Sequence, residues 1–297
     1  MPNSPRELCV FFLCALLGTA VSSELAIGAE RPLRPVNWSG DYHEALDQAA
    51  AGGRLALLWF YDAADVQANE RFQAAVLGHE QVAAAIRRQC IAAALPIDAQ
   101  IESEGKQVGL LAHAAFAEMR QRPGIAIIDM RDESSPHFRQ VVSIFPFEGR
   151  AITADELLVL LELPEGTLTQ RSLIFAVRTH PEHPASALTG YSRLLAKETE
   201  KHADHQASIA LQGHHNWERR FHEINAQLPG GLLAQEVCAE SWPGQNLMAA
   251  ASECVHSWRQ SPGHWSAVSG QQSLFAYDMK RGRNGVWYGV GIFARRH

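Results

Sequence analysis

The sequence predicts an α/β protein built as two consecutive domains behind an N-terminal export signal. Three observations carry that expectation. A chain of 297 residues has room for two domains of ordinary size. Between residues 38 and 165 short apolar runs alternate with segments of helical spacing, the order of a layered α/β domain. From 167 onward helical segments dominate until Asn284-Gly285, between two strand-like runs, marks a closing hairpin.

Residues 1–29 have the form of a signal peptide: Arg6, an apolar run from Leu8 to Val21, then the small-residue exit Ile27-Gly28-Ala29. The run falls short of the roughly 20 apolar residues a membrane span needs. An uncleaved signal anchor is the other reading. No second stretch approaches spanning length, so the mature chain is expected to be secreted or periplasmic, without a transmembrane span. The 46% hydrophobic and 20% charged composition is that of a globular protein. The formal charge is −6, and without residues 1–29 it becomes 25 basic against 30 acidic side chains. No Lys/Arg block stands out, which argues against a nucleic-acid partner.

In the first domain, Asp41 to Ala51 has helical spacing and Gly52-Gly53 stops it. Arg54 to Asp62 reads as a buried strand by length and apolar continuity. Helices are expected from Val66 to Leu77 and from Glu80 to Arg88, then a strand from Gln89 to Ile97. A helix over Ala112–Arg120 precedes the turn Arg122-Pro123-Gly124 and a strand to Asp129. Gln140–Ile144 adds a fourth strand, and Ala154–Leu163 closes with a helix.

Leu163-Pro164-Glu165-Gly166 ends this domain, and an amphipathic helix to Arg178 opens the next. Leu194 to Ala210 is a longer helix, with His202 and His205 expected on its outer or flanking face. Arg219 and Arg220 are candidate partners for Glu236 or another carboxylate, with exposed ion pairs as the default. Trp258 and Trp265 are expected to pack against the hairpin. Of five cysteines, Cys9 and Cys14 leave with the signal. In an oxidising compartment Cys238 and Cys254 are the pair to expect, since both lie in the second domain; two buried free thiols are the other reading. Cys90, within an apolar run, reads as a buried strand residue.

The order of elements over 38–165, with Trp59-Phe60-Tyr61-Asp62 leading into a polar helix start, resembles a thioredoxin-like domain. The resemblance places Pro123 at that fold's cis-proline, and Asp65-Val66-Gln67-Ala68 where its redox motif has two cysteines. With Asp65 and Ala68 there, dithiol exchange has no sulfur to use. Asp65 is suited instead to cap the following helix, accepting backbone N–H bonds. Such a cysteine-free domain is expected to serve as a scaffold or peptide-binding module.

Residues 167–297 resemble the CAP superfamily of cysteine-rich secretory, antigen 5 and pathogenesis-related proteins. The segments that carry the likeness are the helix leading to Gly213-His214, Gln235-Glu236, and Trp258-Arg259-Gln260-Ser261-Pro262-Gly263-His264. A hairpin with Trp287-Tyr288-Gly289-Val290-Gly291 completes it. Two positions depart from the family pattern: Val237 replaces the Asn after the Glu, and a second Glu of the family aligns at Ser261. Glu253 lies one to two turns earlier.

The resemblance implies an α-β-α sandwich with a cleft lined by His214 or His215, Glu236 and His264. The family step favours His214. Neutral imidazole and carboxylate are the side chains that bind zinc or move protons near neutral pH. The expectation is thus an exported, redox-inactive binding or interaction protein for an extracellular protein, peptide or lipid, its cleft able to hold zinc or another divalent cation on His214 and His264. The alternative is a metal-assisted, peptidase-like hydrolase that uses the same cleft, with Glu236 as base and zinc on the two histidines, His264 among them.

Overall fold

The computed structural model describes residues 36–103, 105–188 and 190–296. The expected signal peptide, 1–29, lies outside the described residues. The first sheet has five strands, in the spatial order β1 (Trp38–Ser39), β3 (Cys90–Pro96), β2 (Leu55–Tyr61), β6 (Gly124–Asp129) and β7 (Val141–Pro146). β1, β3 and β2 run parallel; β6 and β7 are antiparallel to their neighbours. β2 lies at the centre, and Leu55 to Phe60 are all buried, as its unbroken apolar run requires. Around the sheet pack α1 (Tyr42–Ala51), α2 (Val66–Phe72, continued by a π-helical turn to Leu77), α3 (Glu80–Gln89) and α4 (Ala154–Leu161).

Two local features depart from the sequence reading. The stretch expected as a helix over 112–120 forms two 3₁₀ turns, Leu110–Ala112 and Ala114–Met119. His113 is extended between them and accepts from Ala115 N–H through Nδ1, while Arg120 takes a left-handed conformation that stops the second turn. A small hairpin, β4 (Gln100–Ser103) with β5 (Lys106–Gly109), occupies a segment with no alternating apolar pattern. The expected cis-proline is also corrected: no peptide bond among the described residues is cis, so Pro123 enters β6 through a trans bond.

The second sheet has three antiparallel strands, β8 (Leu233–Glu240), β10 (Trp287–Arg295) and β9 (Leu274–Arg281), with β10 in the middle. The turn from β9 to β10 is closed by Gly282 N–H to Val286 O and by Val286 N–H to the Asn284 side chain. Strand alternation sends two sets of side chains to opposite faces. Cys238, Ala276, Val290 and Ile292 pack with Leu195 and Ala203 of α6 (Arg193–Ile209) and with Ile224 of α7 (Trp217–Asn225). Val237, Ala239, Tyr277 and Phe293 join the core that includes α5 (Leu168–Arg178), α8 (Leu247–Gln260) and α9 (Pro262–Ser269).

That alternation overturns the expected disulfide. Cys238 faces α6 and Cys254, on α8, packs behind the opposite face against Gly289, so a sheet stands between the two sulfurs. Both are free and buried, as is Cys90.

The halves expected at 38–165 and 167–297 each carry a sheet, and α5 joins their layers. Phe175 of α5 meets Phe145 of β7 with ring centroids 5.9 Å apart. Arg171, only 1% exposed, donates to the carbonyls of Leu160, Leu163 and Pro164 at 2.7–3.0 Å and to Ser143 Oγ at 2.7 Å. It thereby satisfies carbonyls left over at the end of α4. Burial pulls its pKa down to about 9.

Candidate His–Glu cleft

The cleft is assembled from the buried face of α6. His202 and Gln206 lie one turn apart on that face, and both grip Gly213 in the following loop. Gly213 N–H donates to Gln206 Oε1 at 3.0 Å, and His202 Nε2 donates to Gly213 O at 2.8 Å. The expectation that His202 sits on an outer face is therefore corrected: it is 2% exposed. Leu195, Thr199, His202 and Gln206 follow the three- and four-residue spacing of one helix face, so tertiary packing, not polarity, decides its place.

With Gly213 held, His214 is set beside β8. Its Nδ1 donates to Glu236 Oε1 at 2.9 Å. The Glu236 side chain has no exposed surface, and it is gripped a second time by Arg220 of α7. Arg220 places Nη1 2.5 Å from Oε2 and Nη2 2.8 Å from Oε1, a forked pair. The guanidinium is itself positioned by Nε–H to His215 O at 3.1 Å and by the Trp217 ring, 5.1 Å away. Burial, the largest effect, pushes the Glu236 carboxyl up, but hydrogen bonds from His214 and Arg220 outweigh it and hold the group below its ordinary range. Glu236 is ionised and fully engaged at neutral pH.

His264 arrives from the first turn of α9, which Pro262 starts at a position where its missing N–H is harmless. Its ring centroid lies 5.7 Å from that of His214. Burial first, and then the neighbouring His214, hold its pKa below the usual histidine value. Three segments distant in sequence thus meet: 214, 236 and 264 are brought together. His215 is not; its ring turns away and donates Nε2–H to Leu211 O at 3.2 Å. Glu253 also stands apart, lining a separate cleft of about 620 Å³ with Glu240 and Trp242.

The chemistry of this arrangement follows from its proton positions. Because Glu236 accepts from Nδ1, His214 presents Nε2 as a lone pair on the cleft side, the orientation that a carboxylate imposes on ligating histidines. His214 and His264 could hold a divalent ion, with Glu236 orienting rather than ligating. A second donor set lies deeper: ligand atoms of His202, Glu236 and Cys238 are all within 4.8 Å of one another and could hold a metal. An ion there would share its carboxylate with the Arg220 cation, and the Cys238 thiol is pushed well up, first by burial and then by Glu236. Burial lowers the pKa of His202 to about 4, so that ring is neutral.

Arg220 is the residue whose role the sequence left open. Its signal was position alone: one turn into α7, three residues after Trp217.

The residues read as a vanished redox site also share a cleft. Asp65, Ala68 and Pro123 line about 600 Å³ together with Trp59, Phe72 and Phe147. Asp65 caps α2 by accepting from Ala68 N–H at 3.0 Å.

No protein-family profile matches the chain, and no curated protein matches it. Among solved structures, a thioredoxin from Thermus thermophilus in solution shares 19% identity and a TM-score of 0.30, over 43% of this chain and 85% of that one. An outer surface protein from Borrelia burgdorferi shares 17% identity and a TM-score of 0.30, over 36% of this chain and 77% of that one. What is established of the fold is its mixed α/β class, read from the strands and helices themselves, and no helix among the described residues is long and apolar enough to cross a membrane.

Proposed function

We propose that this is an exported binding protein whose first half is a thioredoxin-like domain without redox cysteines and whose second half is a CAP-like sandwich. Its ligand cleft is formed by His214 and His264, with Glu236 holding His214 in one tautomer. One observation carries the reading: three distant segments deliver these side chains to one place, the two rings 5.7 Å apart and the carboxylate 2.9 Å from His214. The order of the first sheet, with three parallel strands followed by two antiparallel ones, supports the thioredoxin-like half. Helices on both faces of the antiparallel sheet support the other.

Binding rather than hydrolysis is favoured by the state of Glu236. A general base must accept a proton from water, yet both oxygens of this carboxylate are taken by Arg220 and His214. The extracellular partner is a protein, peptide or lipid, and zinc on the two imidazoles would supply an electrophilic anchor in the cleft.

The test is incubation of the purified protein with zinc and a mixed peptide library, repeated with His264→Ala. Retained peptides that stay intact, and that are lost in the variant, support the binding protein. Zinc-dependent cleavage abolished by His264→Ala would establish the hydrolase instead. Neither retention nor cleavage, with either protein, would remove the cleft as a peptide site and leave lipid vesicles as the next ligand to try.

A further inference from the structure

We propose that His202, His205 and His215 form a second divalent-metal site, between α6 and the loop that carries His214. Consecutive residues of that loop meet different partners: His214 meets Glu236, whereas His215 meets the two histidines of α6. Ring centroids in this triangle are 6.1 Å (202 to 205), 6.1 Å (202 to 215) and 5.5 Å (205 to 215). Two imidazoles bound to one ion at about 2.0–2.1 Å, at a tetrahedral angle, place their ring centres roughly 5 Å apart. The observed triangle is wider than that by about 1 Å or less.

Proton positions support the same assignment. A carbonyl oxygen only accepts, so His202 on Gly213 O and His215 on Leu211 O must both carry their proton at Nε2. Each ring then presents Nδ1 as a lone pair, with its other nitrogen anchored on the backbone as ligating histidines usually are. Among the described residues the His205 ring makes no hydrogen bond and sits on an exposed turn of α6. It is the side chain free to swing and close the triangle, whose nitrogens do not yet converge as tightly as the donor atoms of His202, Glu236 and Cys238.

An all-imidazole set selects zinc, cobalt, nickel or copper over calcium and magnesium, which require oxygen ligands. Unlike the His202–Glu236–Cys238 set, it needs no carboxylate that Arg220 already grips, even though His202 Nε2 lies 3.7 Å from Glu236 Oε1. A metal here would pin the loop that carries His214, and its existence does not depend on the function assigned to the His214–His264 cleft.

The experiment is titration of tag-free, metal-stripped protein with cobalt and with zinc near neutral pH, by calorimetry and by the visible absorption of bound cobalt. His264→Ala serves as the background, so that the His214–His264 pair cannot contribute, and His205→Ala separates the triangle from the deeper His202–Glu236–Cys238 set. In that background one equivalent should still bind, and His205→Ala or His215→Ala should each weaken it by about tenfold or more. His205 is exposed, so His205→Ala keeps the fold and decides the matter should His215→Ala disturb the loop. Three results would overturn the site: binding unchanged within about twofold in the His205→Ala background variant, loss of all binding in His264→Ala alone, or no binding by wild-type protein at millimolar metal.

Discussion

Removing the Arg220 guanidinium is the most informative perturbation of the cleft, because it leaves a fully buried carboxylate without its cation. Arg220 is 11% exposed at its side chain and Glu236 0%, and the pair is joined by contacts of 2.5 and 2.8 Å. Breaking a buried ion pair from one side costs about 3–5 kcal/mol, since the remaining charge keeps its desolvation penalty. For a domain of this size that is a fall in Tm of roughly 6–20 °C. Urea unfolding of Arg220→Ala near neutral pH should therefore lose about 3–5 kcal/mol. Adding Glu236→Gln to that variant should restore a substantial part, giving a coupling energy above roughly 1 kcal/mol in the double-mutant cycle.

The pH dependence has a definite sign. The folded pKa of Glu236 lies below its unfolded value, so its stabilisation is present above the ordinary carboxylate pKa and lost as pH falls through the folded value. The gap between wild type and Arg220→Ala should accordingly narrow in acid. A loss below about 1 kcal/mol, or single effects that simply add in the double variant, would refute the reasoning about the pair.

Three further outcomes are expected. A Cβ built on Gly289 would lie 2.8 Å from Cys254 Sγ, so Gly289→Ala should lose about 1–3 kcal/mol in thermal unfolding, and Cys254→Ala should relieve it. Cys90, Cys238 and Cys254 are buried free thiols whose pKa values burial raises, so none should react with an alkylating reagent until the protein is unfolded, when mass spectrometry should count all three. Asp278 is wholly buried beside Thr169 and Lys280, and burial raises its pKa to about 6 despite Lys280. Its contribution is fully present below its unfolded pKa and is lost as pH rises through about 6, a change of roughly 3 kcal/mol. Asp278→Asn should remove that part of the stability profile between about pH 4 and 6; parallel profiles for the two proteins would contradict it.

Much of the architecture was legible one residue at a time. The unbroken apolar run of β2, the Asp65 cap and the Asn284-Gly285 turn are decided by local chemistry, so sequence periodicity, a capping residue and a turn dipeptide report them. Sequence order also named His214, Glu236 and His264, since a likeness between segments survives without knowledge of their distances. What the chain by itself could not determine is which face each side chain takes once layers pack. Cys238 and Cys254 are close in sequence yet parted by a sheet, because strand alternation depends on register. Likewise His202 is buried and His205 exposed only because α6 rests on β9 and β10, and Glu236 meets Arg220 only because α7 packs beside β8. Contacts between residues far apart in the chain are set by three-dimensional packing, and it was there that the tertiary structure had the deciding part.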